Sequence, residues 1–157
     1  MDFNAMMGIE GIDFKDISMQ PFLLGLLSAF DNRYQACADS FFKEITWKQF
    51  FAIICINLCE ESPTINELSD VMGSSHQNVK QILIKLEKVG FVEMIQDDKD
   101  RRKQRIILTD KCRKFCEDND AESQRIIGQI FEGIGQEELM MTIKTILTME
   151  SNLGNIR

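Results

Sequence analysis

Nine residues, Asp97-Asp98-Lys99-Asp100-Arg101-Arg102-Lys103-Gln104-Arg105, crowd five cations and three anions between two short apolar runs. The flanking runs, Phe91-Val92-Glu93-Met94-Ile95 and Arg105-Ile106-Ile107-Leu108, read as strands, so the charged stretch predicts the tip of a β-hairpin. Directly upstream, a helix is expected from Ser75 to about Val89. A helix followed by a cationic hairpin has the dimensions to address two grooves of double-stranded DNA. The helix fits the wide major groove, and an arginine on the tip fits the narrow, electronegative minor groove. The plainer reading is a charged hairpin that is simply solvated, its aspartates neutralising its own cations.

Net charge speaks at first against a nucleic-acid partner. The chain has 157 residues and a formal charge of −7. Its distribution reverses that reading. Residues 74–105 hold eight Lys/Arg and five Asp/Glu, whereas the remainder holds ten and twenty. A basic segment on an acidic body still leaves an electrostatic footprint for DNA.

The rest of the pattern is helical. Pro21 suits the first turn of a long helix. Phe22, Leu23, Leu26, Leu27, Phe30, Tyr34, Cys37, Phe41 and Phe42 then recur at helical spacing to about Ile45. Thr46 with Gln49 is a capping box that opens a short apolar helix, Trp47 to Cys59. Glu60-Glu61-Ser62-Pro63 ends it. A second box, Thr64 with Glu67, opens a helix Ile65–Met72 whose apolar face is Ile65, Leu68, Val71 and Met72. Gly73 suits a left-handed C-cap and Ser75 an N-cap. Beyond Ser75, Val79, Ile82, Leu83, Leu86 and Val89 form the inward face. Short helix, glycine turn and longer helix make a helix-turn-helix. After the hairpin, Thr109 caps a helix from Asp110 to about Phe131. Gly133 and Gly135 break it. Leu139, Met140, Ile143, Ile146, Leu147, Met149 and Leu153 build a final helix too apolar for an isolated surface element. Residues 1–17 are expected to be a loose or partly helical lead-in.

The expected fold class is therefore mainly α: a winged helix-turn-helix with N- and C-terminal dimerisation helices. Three parts are expected. Residues 1–45 form a lead-in and dimerisation helix, 46–109 the winged DNA-binding domain, and 110–157 C-terminal dimerisation helices. On the second helix of the helix-turn-helix, the outward positions are His76, Gln77, Asn78, Lys80, Gln81, Ile84, Lys85 and Lys88. Glutamine and asparagine pair bidentately with adenine, and lysine reaches guanine or phosphate. Ser75 and His76 sit at the helix N-terminus, where a phosphate is favoured. At the tip, Asp100 and Arg102 are two apart and would share one side of an extended strand.

The run from Thr64 through Gly73 and His76-Gln77-Asn78-Val79 to Gly90-Phe91-Val92 resembles the helix-turn-helix of the MarR family of bacterial transcription regulators. Asp97-Asp98-Lys99-Asp100-Arg101-Arg102 and the later Leu108-Thr109 resemble that family's wing. The resemblance also takes in Thr46 with Gln49 and Ile130-Phe131-Glu132-Gly133, and so spans roughly residues 20–153. It implies a homodimer, closed by its terminal helices, that binds palindromic operators and is released by a ligand or an oxidant. It also implies that Asp100 buttresses Arg102 in the minor groove, with Arg101 and Lys103 as phosphate partners.

Other chemistries find less support. The five cysteines are an odd number, and cytoplasmic reduced thiols explain them better than a disulfide framework. Cys55 and Cys59 read as core. Cys112 and Cys116 lie one helical turn apart near Lys111, Arg113 and Lys114, which would favour a thiolate, and Cys37 lies on the first long helix. Peroxide-sensing members of the resembled family carry their reactive cysteine near the start of that helix, where Leu23 to Leu27 offer none. The single histidine, His76, gives no metal site, and no cofactor motif or catalytic constellation is recognisable. No apolar run is long enough for a membrane span, and the N-terminus lacks the cationic start of a signal peptide. Phe30, Tyr34, Trp47 and Phe50 (with Phe22 and Phe41 nearby in the pattern) are candidates to line a pocket for a small-molecule effector, or else plain core. The expectation is a cytoplasmic, ligand-responsive repressor rather than an enzyme. The rival is a winged helix used to bind another protein, its basic tip meeting an acidic partner.

Overall fold

The computed structural model describes residues 17–97 and 100–156. The expected lead-in over residues 1–17 therefore lies almost wholly outside the described residues. Among the described residues, six helices and one two-stranded antiparallel sheet follow one another: α1 (Met19–Asp39), α2 (Trp47–Leu58), α3 (Ile65–Met72), α4 (His76–Lys88), β1 (Val92–Gln96), β2 (Gln104–Leu108), α5 (Asp110–Ile130) and α6 (Gln136–Gly154). The chain divides after Cys112 into two compact units.

In the first unit local chemistry sets the helix ends. Both capping boxes form. The Thr46 hydroxyl accepts from Gln49 N–H, and Gln49 Oε1 accepts from Thr46 N–H at 2.7 Å. Thr64 and Glu67 repeat the exchange, with Thr64 N–H to Glu67 Oε2 at 2.7 Å. Gly73 ends α3 in the left-handed region at φ 59°. Ser75 caps α4 by accepting from Asn78 N–H at 3.3 Å. At the other end of α4, Lys111 Nζ donates to the Val89 carbonyl at 2.8 Å and lies 5.3 Å from the centre of the Phe91 ring. A cation there complements the negative end of the helix dipole.

The core is built from the inward stripe of α4 and what covers it. Val79, Leu83 and Leu86 have no exposed surface, nor do Ala52 on α2, Leu68 on α3, and Phe91 and Ile106 in the hairpin. Fully burying side chains of this size contributes about 1.5–3 kcal/mol each. The hairpin pairs Val92 with Leu108, Met94 with Ile106 and Gln96 with Gln104. Its outer strand does not end the sheet unaided. Ile106 N–H donates to the Pro63 carbonyl at 2.9 Å, and Thr64 bridges to Arg105. The chain entering α3 thus covers the edge of β2, a pairing the sequence pattern did not announce.

Three expectations need correction. The first long helix stops at Asp39 rather than near Ile45. Ser40 Oγ donates to the Cys37 carbonyl at 2.6 Å, and the Asp39 carboxylate accepts the N–H of Trp47, so local polar groups turn the chain back. Phe42 then packs on Phe50 from the loop, at 4.6 Å between ring centres. α2 is not buried all round: Trp47, Phe50, Phe51 and Ile54 are half-buried and Leu58 is exposed. On α3, Leu68 is buried and Val71 is exposed, because an eight-residue helix lying on one side presents only a narrow stripe inward.

The second unit contains α5 beyond Cys112 and all of α6. Gly133, at φ 79°, makes the turn between them, and Glu138 Oε2 accepts Gly135 N–H at 2.8 Å to open α6. No residue of α6 is buried; Met140, Met141, Ile143, Ile146, Leu147 and Leu153 are all exposed. Among the described residues no helix is long and apolar enough to cross a membrane.

The turn between α3 and α4 gives a direct stability test. Gly73→Ala puts a Cβ on a left-handed residue and is expected to cost about 1–2 kcal/mol. Thr64→Ala removes one half of a capping box and is expected to cost about 1 kcal/mol. Urea unfolding followed by circular dichroism measures both. Equal midpoints for wild type and Gly73→Ala would show that the turn tolerates a side chain there.

Candidate nucleic-acid interface

α4 separates its side chains by helical period. Val79, Ile82, Leu83 and Leu86 are buried, so His76, Gln77, Asn78, Lys80, Gln81, Ile84, Lys85 and Lys88 all fall on the exposed side. Ser75 is exposed at the N-cap. Lys80, Lys85 and Lys88 supply positive charge along a face that otherwise carries amides. Asn78 is less free than Gln77. Its Nδ2 donates to Ser74 Oγ at 2.8 Å while its own N–H is held by Ser75. Its amide therefore steadies the helix start, and the bond to Ser74 must open before both amide donors face outward.

The wing tip is a turn, not the extended strand expected from the spacing of Asp100 and Arg102. Lys103 N–H donates to the Asp100 carbonyl at 2.8 Å, closing a four-residue turn, and the Asp100 carboxylate accepts Arg102 N–H at 3.1 Å. An aspartate that bonds the backbone two residues on is a common turn device. The same carboxylate accepts Arg102 Nε at 3.1 Å and Nη2 at 3.3 Å, a two-pronged grip on the guanidinium. Arg102 nonetheless keeps 91% of its side chain exposed. It is aimed by Asp100 and left accessible. Gln96 Nε2 donates to the Arg101 carbonyl at 2.6 Å, steadying the tip from β1, while the side chains of Arg101 and Lys103 are exposed.

One cation of the sequence-level count has a different place. Arg105 is largely covered, its side chain 25% exposed. Its Nε donates to Asp97, itself buried, and its Nη1 to the Ser62 carbonyl at 3.0 Å and to Glu67 Oε2 at 3.2 Å. Arg105 thus ties the base of the wing to the start of α3. Its partner Ser62 is 43 residues away in sequence, and nothing local in the sequence marks it.

The aromatic candidates partly converge. Phe30 and Tyr34 stack at 6.1 Å, and Tyr34 meets Trp47 edge-on at 4.7 Å. Trp47 lies 6.1 Å from both Phe50 and Phe51. Tyr34, Trp47 and Phe51 line a cavity of about 430 Å³ with Asp31, Gln35 and Lys48, while Ser74, Asn78 and Ile82 supply another wall. Phe30 and Phe50 back the ring cluster and are not part of that lining. Burial pushes the Tyr34 phenol above its ordinary value, with Cys37 adding to the effect, so it remains a neutral hydroxyl at neutral pH. Among the described residues no disulfide forms: Cys112 and Cys55 are buried, Cys59 and Cys116 half-buried and Cys37 exposed. Lys111 reaches the end of α4, and Cys112 is fully covered, which argues against thiolate chemistry there. No cluster of three or more metal-ligating side chains occurs among the described residues.

Residues 45–103 match the family model described as the MarR family. Over that segment the chain is similar to the MarR family. The likeness of fold extends over most of the chain. A MarR protein from Peptoclostridium difficile superposes with a TM-score of 0.79 at 23% identity, covering 93% of this chain and 96% of that one. The S. aureus MepR–DNA complex gives 0.73 at 19% identity, over 82% and 95%. Streptococcus pneumoniae FabT in complex with DNA gives 0.64 at 20% identity, over 87% and 99%. The MarR-type arrangement of helix-turn-helix and wing expected from the sequence is therefore the observed one.

The grip of Asp100 on Arg102 has a titration signature. Hydrogen bonds from the Arg102 side chain and backbone hold the Asp100 carboxyl below the usual aspartate range, with Lys103 adding to the effect. The fork is therefore intact at neutral pH and is lost only as pH falls through that lowered value. A carbon-detected NMR titration should show a depressed Asp100 midpoint that returns toward the ordinary range in Arg102→Ala. An ordinary midpoint in the wild type would mean that the grip does not persist in solution.

Proposed function

We propose that this chain is a sequence-specific, DNA-binding transcription regulator that works as a homodimer and represses by occupying a palindromic operator. The observation that carries the reading is the pairing of α4's exposed amide-and-lysine face with an exposed Arg102 held by Asp100. In this reading α4 lies in the major groove. Gln77 and Gln81 read adenine edges, Lys80 and Lys85 reach guanine or phosphate, and Ser75 and His76 meet a phosphate at the helix N-terminus. Arg102 enters the flanking minor groove, and Arg101 and Lys103 neutralise phosphates on either side. The two DNA-bound structures named above support the reading through fold alone. Several of the solved structures this chain resembles are transcriptional regulators, and the role proposed here is a binding one, not catalysis.

The proposed division assigns residues 1–45 and 110–157 to dimerisation and 46–109 to DNA. Its support is apolar exposure. Met19, Leu24 and Phe30 on α1 and the methionine-, isoleucine- and leucine-rich surface of α6 are open to solvent in a single chain, more than an isolated protein ordinarily leaves uncovered. A small apolar or aromatic effector fits the cavity beside Tyr34 and Trp47. Because Ser74, Asn78 and Ile82 form part of its wall, occupancy would act directly on the start of α4.

Two measurements test this. Sedimentation at micromolar concentration should give about twice 18.1 kDa, and a clean monomer would contradict the dimer. Selection from a pool of duplexes with a randomised centre should yield inverted repeats with half-sites about one helical turn (~10 bp) apart, bound more weakly as salt rises. Gln77→Ala should then relax preference at one base pair per half-site by roughly 1–3 kcal/mol. Arg102→Ala should weaken binding broadly and flatten the preference for flanking A·T pairs. If no duplex is enriched while an acidic protein partner is bound, the winged helix serves protein recognition instead.

A further inference from the structure

The hydrogen bonds around the wing form one continuous chain. It starts at α3, where Glu67 Oε2 and the Ser62 carbonyl accept from Arg105 Nη1. Arg105 Nε passes it to Asp97. The other carboxylate oxygen of Asp97 accepts Asp100 N–H at 2.7 Å, and Asp97 N–H donates to the Lys103 carbonyl at 3.0 Å. Asp100 then grips Arg102. Asp97 at its centre is buried, Arg105 and Asp100 on either side are half-buried, and the ends, Glu67, Ser62 and Arg102, are exposed. Asp97 is 6% exposed, and a buried carboxylate needs a charged, well-oriented partner to stay ionised. Arg105 is that partner, and its fork fixes direction as well as charge.

We propose that Arg105 is a positioning residue for Arg102: it references the minor-groove reader on the wing to the N-terminus of α3, and so to the helix-turn-helix, so that both grooves are read in one register. The inference rests on the DNA-binding reading above. Arg105 touches no DNA in this scheme; it acts through Asp97 and Asp100. Glu67 serves twice, closing the capping box of α3 and anchoring Arg105.

Two substitutions separate this role from plain stability. Arg105→Lys keeps a charge beside Asp97 and removes the fork to Ser62 and Glu67. Glu67→Gln keeps a capping-box side chain and removes the anionic anchor. The probes are two duplexes drawn from the wild-type selection, with the same half-sites and either A·T-rich or G·C-rich flanks, read by fluorescence anisotropy. Each variant is also made in an Arg102→Ala background, and circular dichroism monitors folding. Arg105→Lys should lose about threefold or more in affinity for the A·T-flanked duplex and change less than about twofold on the other. In the Arg102→Ala background it should add less than about twofold, the non-additivity expected of groups acting in one network. Without DNA, the Arg102 Nε–H NMR signal should broaden in Arg105→Lys and Glu67→Gln. Should Arg105→Lys unfold, Glu67→Gln decides by the same readouts. Equal losses on both duplexes, full additivity with Arg102→Ala, or an unchanged Arg102 signal would overturn the proposal while leaving DNA binding standing. Wild type that binds neither duplex would overturn the DNA reading itself.

Discussion

Burial of one face of α4 is the constraint on which the rest of the structure depends. Val79, Leu83 and Leu86 are completely covered by α2, α3 and the hairpin. With the helix held along that stripe, its rotation is fixed, and the amides and lysines have only the outer side to occupy. The capping boxes and Gly73 do the complementary work of fixing where α3 and α4 begin and end. None of these local devices is worth more than a kilocalorie or two, yet each removes an alternative register. The polar face of α4 is thus a consequence of core packing, and its presentation is as rigid as the core beneath it.

The wing obeys a different rule. Its base is held by buried Phe91, Val92 and Ile106, but the tip has no buried apolar side chain among the described residues, so charge and hydrogen bonding hold it. Asp97 and Arg105 are withdrawn from solvent and locked to α3, whereas Asp100 and Arg102 carry the same chemistry to the surface. An arginine left unsupported at a hairpin tip would sample many rotamers and lose that freedom on binding. One held by a carboxylate has already given much of it up. In the proposed reading this also explains how a chain of net charge −7 can meet DNA: what matters is a local excess aimed outward, not the sum over the chain.

Much of this was legible in the sequence because its causes are local. Thr46 with Gln49, Thr64 with Glu67, Gly73, Ser75 and Thr109 each specify a helix end within three or four residues, and each acts as expected. The inward stripe of α4 follows from periodicity alone. What was not legible depends on partners distant in sequence. Arg105 looked like one more cation of the tip, since a charge count cannot show that its partners are Ser62 and Glu67. The pairing of Pro63 and Thr64 with β2 has the same origin. The end of α1 was hidden for another reason: Phe41 and Phe42 prolong the apolar period past the point where Ser40 and Asp39 turn the backbone. The extended geometry expected at Asp100 and Arg102 gave way to a turn, though their contact is the one the family resemblance implied.

The central claim is that helix and wing act together as one rigid DNA reader, and amide NMR of the full chain titrated with a selected duplex tests it most directly. The account predicts that resonances of His76, Gln77, Lys80 and Gln81 on α4 and of Arg101, Arg102 and Lys103 on the wing shift together, at one stoichiometry and with one salt dependence. Shifts confined to one of the two elements, or centred on residues away from both, would contradict it.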